Sequence, residues 1–113
     1  MKAVNVAKST VIATTLIEAK GFFQRLKGLI GRTALDEGEG LWMARCRAIH
    51  TFGMRFPIDV VFLDKRNIVV AAIKNLPPRR ITRFYFNAES VLELPIGRME
   101  STSTEPGDKV EFV

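Results

Sequence analysis

No stretch of this chain restricts the fold more than residues 46–64, CRAIHTFGMRFPIDVVFLD. It holds the single cysteine, the single histidine and three of the eight phenylalanines. With the two-residue period of a strand, Cys46, Ala48, His50, Phe52, Met54 and Phe56 share one face, and Arg45, Arg47, Ile49, Thr51, Gly53 and Arg55 share the other. An apolar face backed by three arginines predicts a half-buried antiparallel strand. Cys46, His50, Phe52 and Met54 then turn inward, and Arg45, Arg47 and Arg55 turn outward. A helical period scatters the same residues. Gly53 marks a bulge or a close backbone approach. Pro57 has no N–H to donate and marks an edge, a bulge or a strand start. From Ile58 to Leu63 the chain is apolar except for Asp59, which predicts a second strand with Val60 and Phe62 buried.

The flanking sequence reads as further short strands. Residues 3–7 predict a short strand, and the β-branched run TVIATTLIE at 10–18 predicts another. In FFQRLKGLIGR, residues 22–32, Phe22, Leu26, Leu29 and Ile30 recur at helical spacing, so a short amphipathic helix capped at Gly31 is expected. The acidic turn DEGEG precedes a short strand starting at Leu41. Lys65-Arg66-Asn67 joins 58–64 to 67–74 as a β-hairpin. Pro77-Pro78-Arg79-Arg80 opens a loop that carries Phe84-Tyr85-Phe86. A strand at 90–94 stops at Pro95, residues 97–104 form a helical turn or a loop, and 109–113 is the last strand. Many short strands with one or two short helices predict a mainly β (α+β) fold, a single curled sheet or a small barrel.

At 113 residues and 47% hydrophobic content the chain has enough material for one packed domain, 1–113. Its 17 basic and 12 acidic residues leave a net charge of +5, compatible with nucleic acid, anionic lipid or an acidic ligand, or with a plain solvated basic surface. One cysteine excludes an internal disulfide and a cysteine-only metal site within the chain. The longest apolar run is about six residues, against the roughly 20 of a membrane-spanning helix. Asn5, Lys8, Ser9, Thr10, Thr14 and Thr15 break up the N-terminal segment, unlike a signal peptide, and a cytoplasmic location is expected.

Four motifs in order, RLKGLIGR, IHTFGMRFPIDVVFLD, VLELPIG and GDKVEF, resemble the family of small bacterial and archaeal proteins called domain of unknown function 192. The likeness runs from about Phe22 to Phe112. The family pattern falls on His50, Phe52, Gly53, Met54, Pro57, Asp59, Glu93, Pro95, Gly97 and Asp108. The resemblance implies a compact, mostly β domain and no established reaction.

Cys46, His50 and Met54 are donor types that suit soft metal ions. On one strand, however, residues four apart are separated by about 13 Å, so no joint metal site is expected. The same separation counts against a Cys46–His50 nucleophile pair. Asp59 lies in a run that reads as buried, where a carboxylate needs a partner: backbone N–H groups, His50, Arg25 or Arg32. It therefore pins a turn or forms a pocket wall. Glu93, within VLELP, poses the same question. If both carboxylates meet His50, acid–base chemistry follows. Arg45, Arg47, Arg55, Arg79, Arg80 and Arg83, with Phe84, Tyr85 and Phe86, combine charge with stacking surfaces, as single-strand nucleic-acid binders do. The expectation is a binding or accessory module without a cofactor. Its ligand-facing patch comprises His50, Met54, Asp59 and Glu93 with Arg25 and Arg55, and it takes a small anionic ligand or a protein partner. The alternatives are an enzyme using His50 with Asp59 or Glu93, and a basic nucleic-acid-binding module.

Overall fold

The apolar runs on either side of Lys65-Arg66-Asn67 pair as the expected hairpin. A computed structural model describes residues 1–19 and 29–113. Its strands are β1 (Ala3–Asn5), β2 (Thr10–Ala13), β3 (Thr15–Glu18), β4 (Glu39–Ala44), β5 (Ile58–Leu63), β6 (Val69–Leu76), β7 (Ser90–Pro95) and β8 (Val110–Phe112), with a short helix α1 (Arg98–Ser101) between β7 and β8. The mainly β architecture matches the expectation. Among the described residues the strands divide into two sheets, ordered β2-β1-β8 and β3-β4-β7-β5-β6, and neither closes into a barrel. Among the described residues, only β3 and β4 pair in parallel.

The larger sheet is covered on both faces. One apolar cluster joins Ala3, Ile12 and Val110 of the smaller sheet to Val61, Leu63, Leu92 and Leu94 of the larger. The other cluster places Leu41, Val60, Phe62 and Val91 under the loop residues Ile49 and Met54. β5 is buried at all six positions and β7 at five of six. Burial on both faces explains why β5 reads as an almost unbroken apolar run rather than an alternating one.

The GDKVEF motif closes the smaller sheet. Asp108 accepts hydrogen bonds from the buried Asn5 side chain at 2.9 Å, the Lys8 ammonium at 2.8 Å and the Glu105 N–H at 3.1 Å. These contacts tie the turn after β1 to the turn before β8, strand neighbours in the sheet but over 100 positions apart in sequence. Burial pushes the Asp108 carboxyl up, but the Asn5, Lys8 and Glu105 donors outweigh it and hold the group below its usual range.

Two expectations need correction, and a third falls largely outside the described residues. The run 10–18 is two strands in different sheets, because the Gly38 carbonyl accepts the N–H of both Thr14 (2.9 Å) and Thr15 (3.1 Å) and turns the chain between them. Residues 22–28 of the expected helix lie outside the described residues. The rest of it, 29–32, is a turn closed by the Arg32 N–H on the Leu29 carbonyl at 3.2 Å. The expected strand over 45–56 is an irregular segment with one isolated bridge, His50 to Ile81. A turn from Thr51 to Met54, with Gly53 at φ +85°, breaks the two-residue period. Ile49 and Thr51 therefore point inward, while His50 and Phe52 are exposed and Cys46 is half-buried. Met54, Val60 and Phe62 are buried and Arg45, Arg47 and Arg55 exposed, as expected.

Candidate functional site

The four residues expected to form one patch are dispersed. Strand pairing aligns Asp59 with Leu94 and Val60 with Glu93. Paired residues share a face and neighbours along a strand alternate, so Asp59 and Glu93 project from opposite faces of the larger sheet. Asp59 lies on the side of Leu94 and Val61, which faces the smaller sheet. Glu93 lies on the side of Val60 and Leu41, and Met54 belongs to the cluster there. His50 is outside both.

Asp59 is 1% exposed, and its two oxygens are both engaged. Oδ1 accepts the Asn75 N–H and Oδ2 the Met99 N–H, each at 3.0 Å. Met99 is in the first turn of α1, whose N-cap, Gly97, has a left-handed backbone and no side chain to cap with. Asp59 supplies that missing acceptor from the neighbouring sheet and at the same time fixes the end of β6. Of the partners anticipated from sequence, backbone N–H groups are the ones found. Arg32 pairs instead with Glu39 at 2.7 Å, and Arg25 lies outside the described residues.

Glu93 is 4% exposed on the central strand, between Leu41 and Val60. It makes no side-chain hydrogen bond or ion pair with any described residue. Burial pushes its carboxyl up to about 7. His50 accepts the Phe52 N–H on Nδ1 at 3.2 Å. The Cys46 thiol donates to the Ala48 carbonyl at 3.2 Å. Among the described residues, no three His, Cys, Asp or Glu side chains group as metal ligands would.

The structure does assemble a surface of different make-up. Segments 45–57 and 77–89 are laced together along their length. Thr51, fully buried, donates its hydroxyl to the Pro77 carbonyl at 2.7 Å and accepts the Arg80 N–H at 2.9 Å. The Thr51 N–H donates to the Arg80 carbonyl at 2.8 Å, the Thr82 N–H to Ile49 at 2.9 Å and the Tyr85 N–H to Arg47 at 2.8 Å. Tyr85 packs inward on Phe62 with ring centroids 4.7 Å apart, under the Arg83 guanidinium at 5.3 Å. Its neighbours turn outward: Phe84 is 50% and Phe86 81% exposed. Phe52 and Ile81 are also exposed, and with Ala48, Ile49 and His50 they line a shallow apolar depression of about 370 Å³. Arg47, Arg79, Arg80 and Arg83 are exposed on the same two segments. A second, more polar cleft of about 410 Å³ runs from Arg47 past Phe86 to the Lys65-Arg66 turn. The sequence supplied the arginines and aromatics of this surface. It gave no sign of the threonine that holds the two segments together.

Comparison with known proteins gives relatives of the same kind. The sequence profile of domain of unknown function 192, described as Uncharacterized ACR, matches residues 3–112. A UPF0127 protein of Pyrococcus abyssi is 42% identical over 65 residues, 58% of this chain and 55% of that protein. The chain thus spans a little over half the length of that relative. A UPF0127 protein of Thermococcus sibiricus is 30% identical across 96% of this chain and 73% of its own length. A crystal structure of a Novosphingobium aromaticivorans protein of unknown function superposes with a TM-score of 0.84 at 23% identity, covering 98% of this chain and 82% of that one, a likeness of fold. No helix among the described residues is long and apolar enough to cross a membrane.

Proposed function

The chain belongs to the DUF192 family, whose name carries no reaction, and we propose from its own geometry that it is a binding module presenting the paired segments 45–57 and 77–89 to an anionic ligand. One observation carries this reading: exposed apolar side chains, Phe52, Ile81, Phe84 and Phe86, stand with exposed arginines on two segments tied together by hydrogen bonds of Thr51 with Pro77 and Arg80 and of Tyr85 with Arg47. Large exposed apolar side chains gathered on one surface mark interaction sites, whereas scattered ones need no explanation. A backbone already fixed loses little freedom on binding. Of the patch expected from sequence, His50 and Arg55 are exposed and Met54, Asp59 and Glu93 are buried. The ligand-facing surface is accordingly the arginine–aromatic one.

Acid–base catalysis is the second reading, and it rests on Glu93 alone, whose carboxyl titrates near neutrality. Asp59 is occupied by two N–H donors on the other sheet face, and His50 is exposed with one ring nitrogen engaged by Phe52. These positions favour the binding module.

The test is fluorescence anisotropy with labelled long-chain polyphosphate at about 50 and 200 mM salt. The expected result is binding that weakens with salt and weakens further in the Arg79→Ala/Arg80→Ala variant. Absence of binding, or a variant that binds like the parent, contradicts the proposal.

A further inference from the structure

We infer that the ligand of this surface is single-stranded nucleic acid, and that the cleft beside Phe86 holds one nucleotide, its base on the Phe86 ring and its phosphates against Arg47, Lys65 and Arg66. This rests on the anionic-ligand reading above and gives it a chemical class. The cleft lies between the β5–β6 turn and the segment leading into β7. Arg47 is steered into it by its Nε–H, which donates to the Ala88 carbonyl at 3.1 Å. Its terminal amino groups have no partner among the described residues.

Two carboxylates line the same cleft, and they differ in what they can oppose. Asp64 is bound to the turn itself, its Oδ1 accepting the N–H of Arg66 at 2.8 Å and of Ile68 at 2.9 Å. Glu89 is exposed and able to swing into solvent, though its N–H is fixed to the Leu63 carbonyl at 2.7 Å. The balance at the cleft is positive.

Charge alone would suit any polyanion, and the aromatic rings narrow the choice. Phe86 is the most exposed large apolar side chain among the described residues, at 81%. Phe84 packs against it in a T-shaped pair, with centroids 5.0 Å apart and planes at 77°, and at 81% exposure most of the Phe86 ring stays open to solvent. An exposed ring face bordered by guanidinium and ammonium groups is the combination that stacks an unpaired base while holding its phosphates. A duplex offers no such base face, because its bases already stack on one another. Polyphosphate and acidic peptides offer no base.

The experiment uses the full chain and anisotropy with labelled poly(dT) and poly(rU) strands of about 12 nucleotides, with a duplex of equal length and polyphosphate as competitors. Single strands are expected to bind more tightly than duplex. Phe86→Ala is expected to lower single-strand affinity about tenfold, a clearly larger loss than it causes for polyphosphate. Phe86→Trp should restore it. Because Phe86 is so exposed, its replacement leaves the core untouched. Unchanged oligonucleotide affinity in Phe86→Ala, or equal binding of duplex and single strand, overturns this inference. If polyphosphate then still binds through the arginines, the anionic-ligand reading survives. If no polyanion binds, both fall.

Discussion

Asp59 and Glu93 are one register step apart on adjacent strands, and that single step sends their carboxylates to opposite faces of one sheet. They differ as sharply in environment as in direction. Asp59 is met by two N–H donors, and Glu93 is surrounded by apolar side chains on the central strand. One carboxylate is a fastener, and the other is a buried acid.

Asp59→Asn should lower stability by roughly 1.5–3 kcal/mol, the size of a charge-assisted hydrogen bond, because an amide presents one acceptor where the carboxylate presents two. Asp59→Ala should cost at least as much, since it leaves the Asn75 and Met99 N–H groups buried without acceptors. Each 1 kcal/mol corresponds to about 4–8 °C in the midpoint for a chain near this size. Thermal unfolding followed by circular dichroism reads the effect. Midpoints unchanged or raised in both variants would mean that the carboxylate is not a fastener.

Glu93 makes stability fall as pH rises. Its carboxyl is raised from 4.5 to about 7 in the folded protein. Below about 4.5 it is protonated in both states and adds no pH dependence. Between about 4.5 and 7 the unfolded chain ionises first, and the folded state loses ground by roughly 3 kcal/mol in all. Glu93→Gln removes this titration. The variant should therefore gain on the parent progressively across that window in urea unfolding at stepped pH, with no further gain above it. A pH-independent difference would show that Glu93 is ionised in the fold at ordinary carboxylate pH.

Much of the fold was legible where local pattern and burial agree. The hairpin of β5 and β6 announced itself because two apolar runs flank Lys65-Arg66-Asn67 and Asn67 takes the left-handed turn conformation, φ 62°. Two regions misled for opposite reasons. In 45–56 the alternation is real in sequence and irrelevant in space, since contacts with 77–85 decide which residues turn inward. In 10–18 no residue looks like a break, because the turn at Thr14 is imposed by the Gly38 carbonyl, 24 positions away. The candidate site was legible by residue type only. Asp59 and Glu93 stood out as acids in apolar runs, but facing depends on a one-residue register that no composition reveals.

Thr51 is the test of the laced segments. Thr51→Val keeps the shape but leaves the Pro77 carbonyl and the Arg80 N–H without their partner, a loss of about 1–3 kcal/mol. Amide hydrogen exchange at Arg80 should quicken selectively, while the amides of β5 and β7 stay protected in proportion to global stability. Thr51→Ser, which keeps the hydroxyl, should behave like the parent. Equal exchange at Arg80 in parent and Thr51→Val would show that the hydroxyl does not hold the segments together.

The claim that these segments are the binding face is tested most directly by titrating 15N-labelled protein with a short poly(dT) strand and mapping amide shifts. The largest changes are expected at Arg47, His50, Phe52, Ile81, Phe84 and Phe86, diminishing as salt is raised. Shifts concentrated instead around β1 and β8, or no shifts at low salt, would contradict the account.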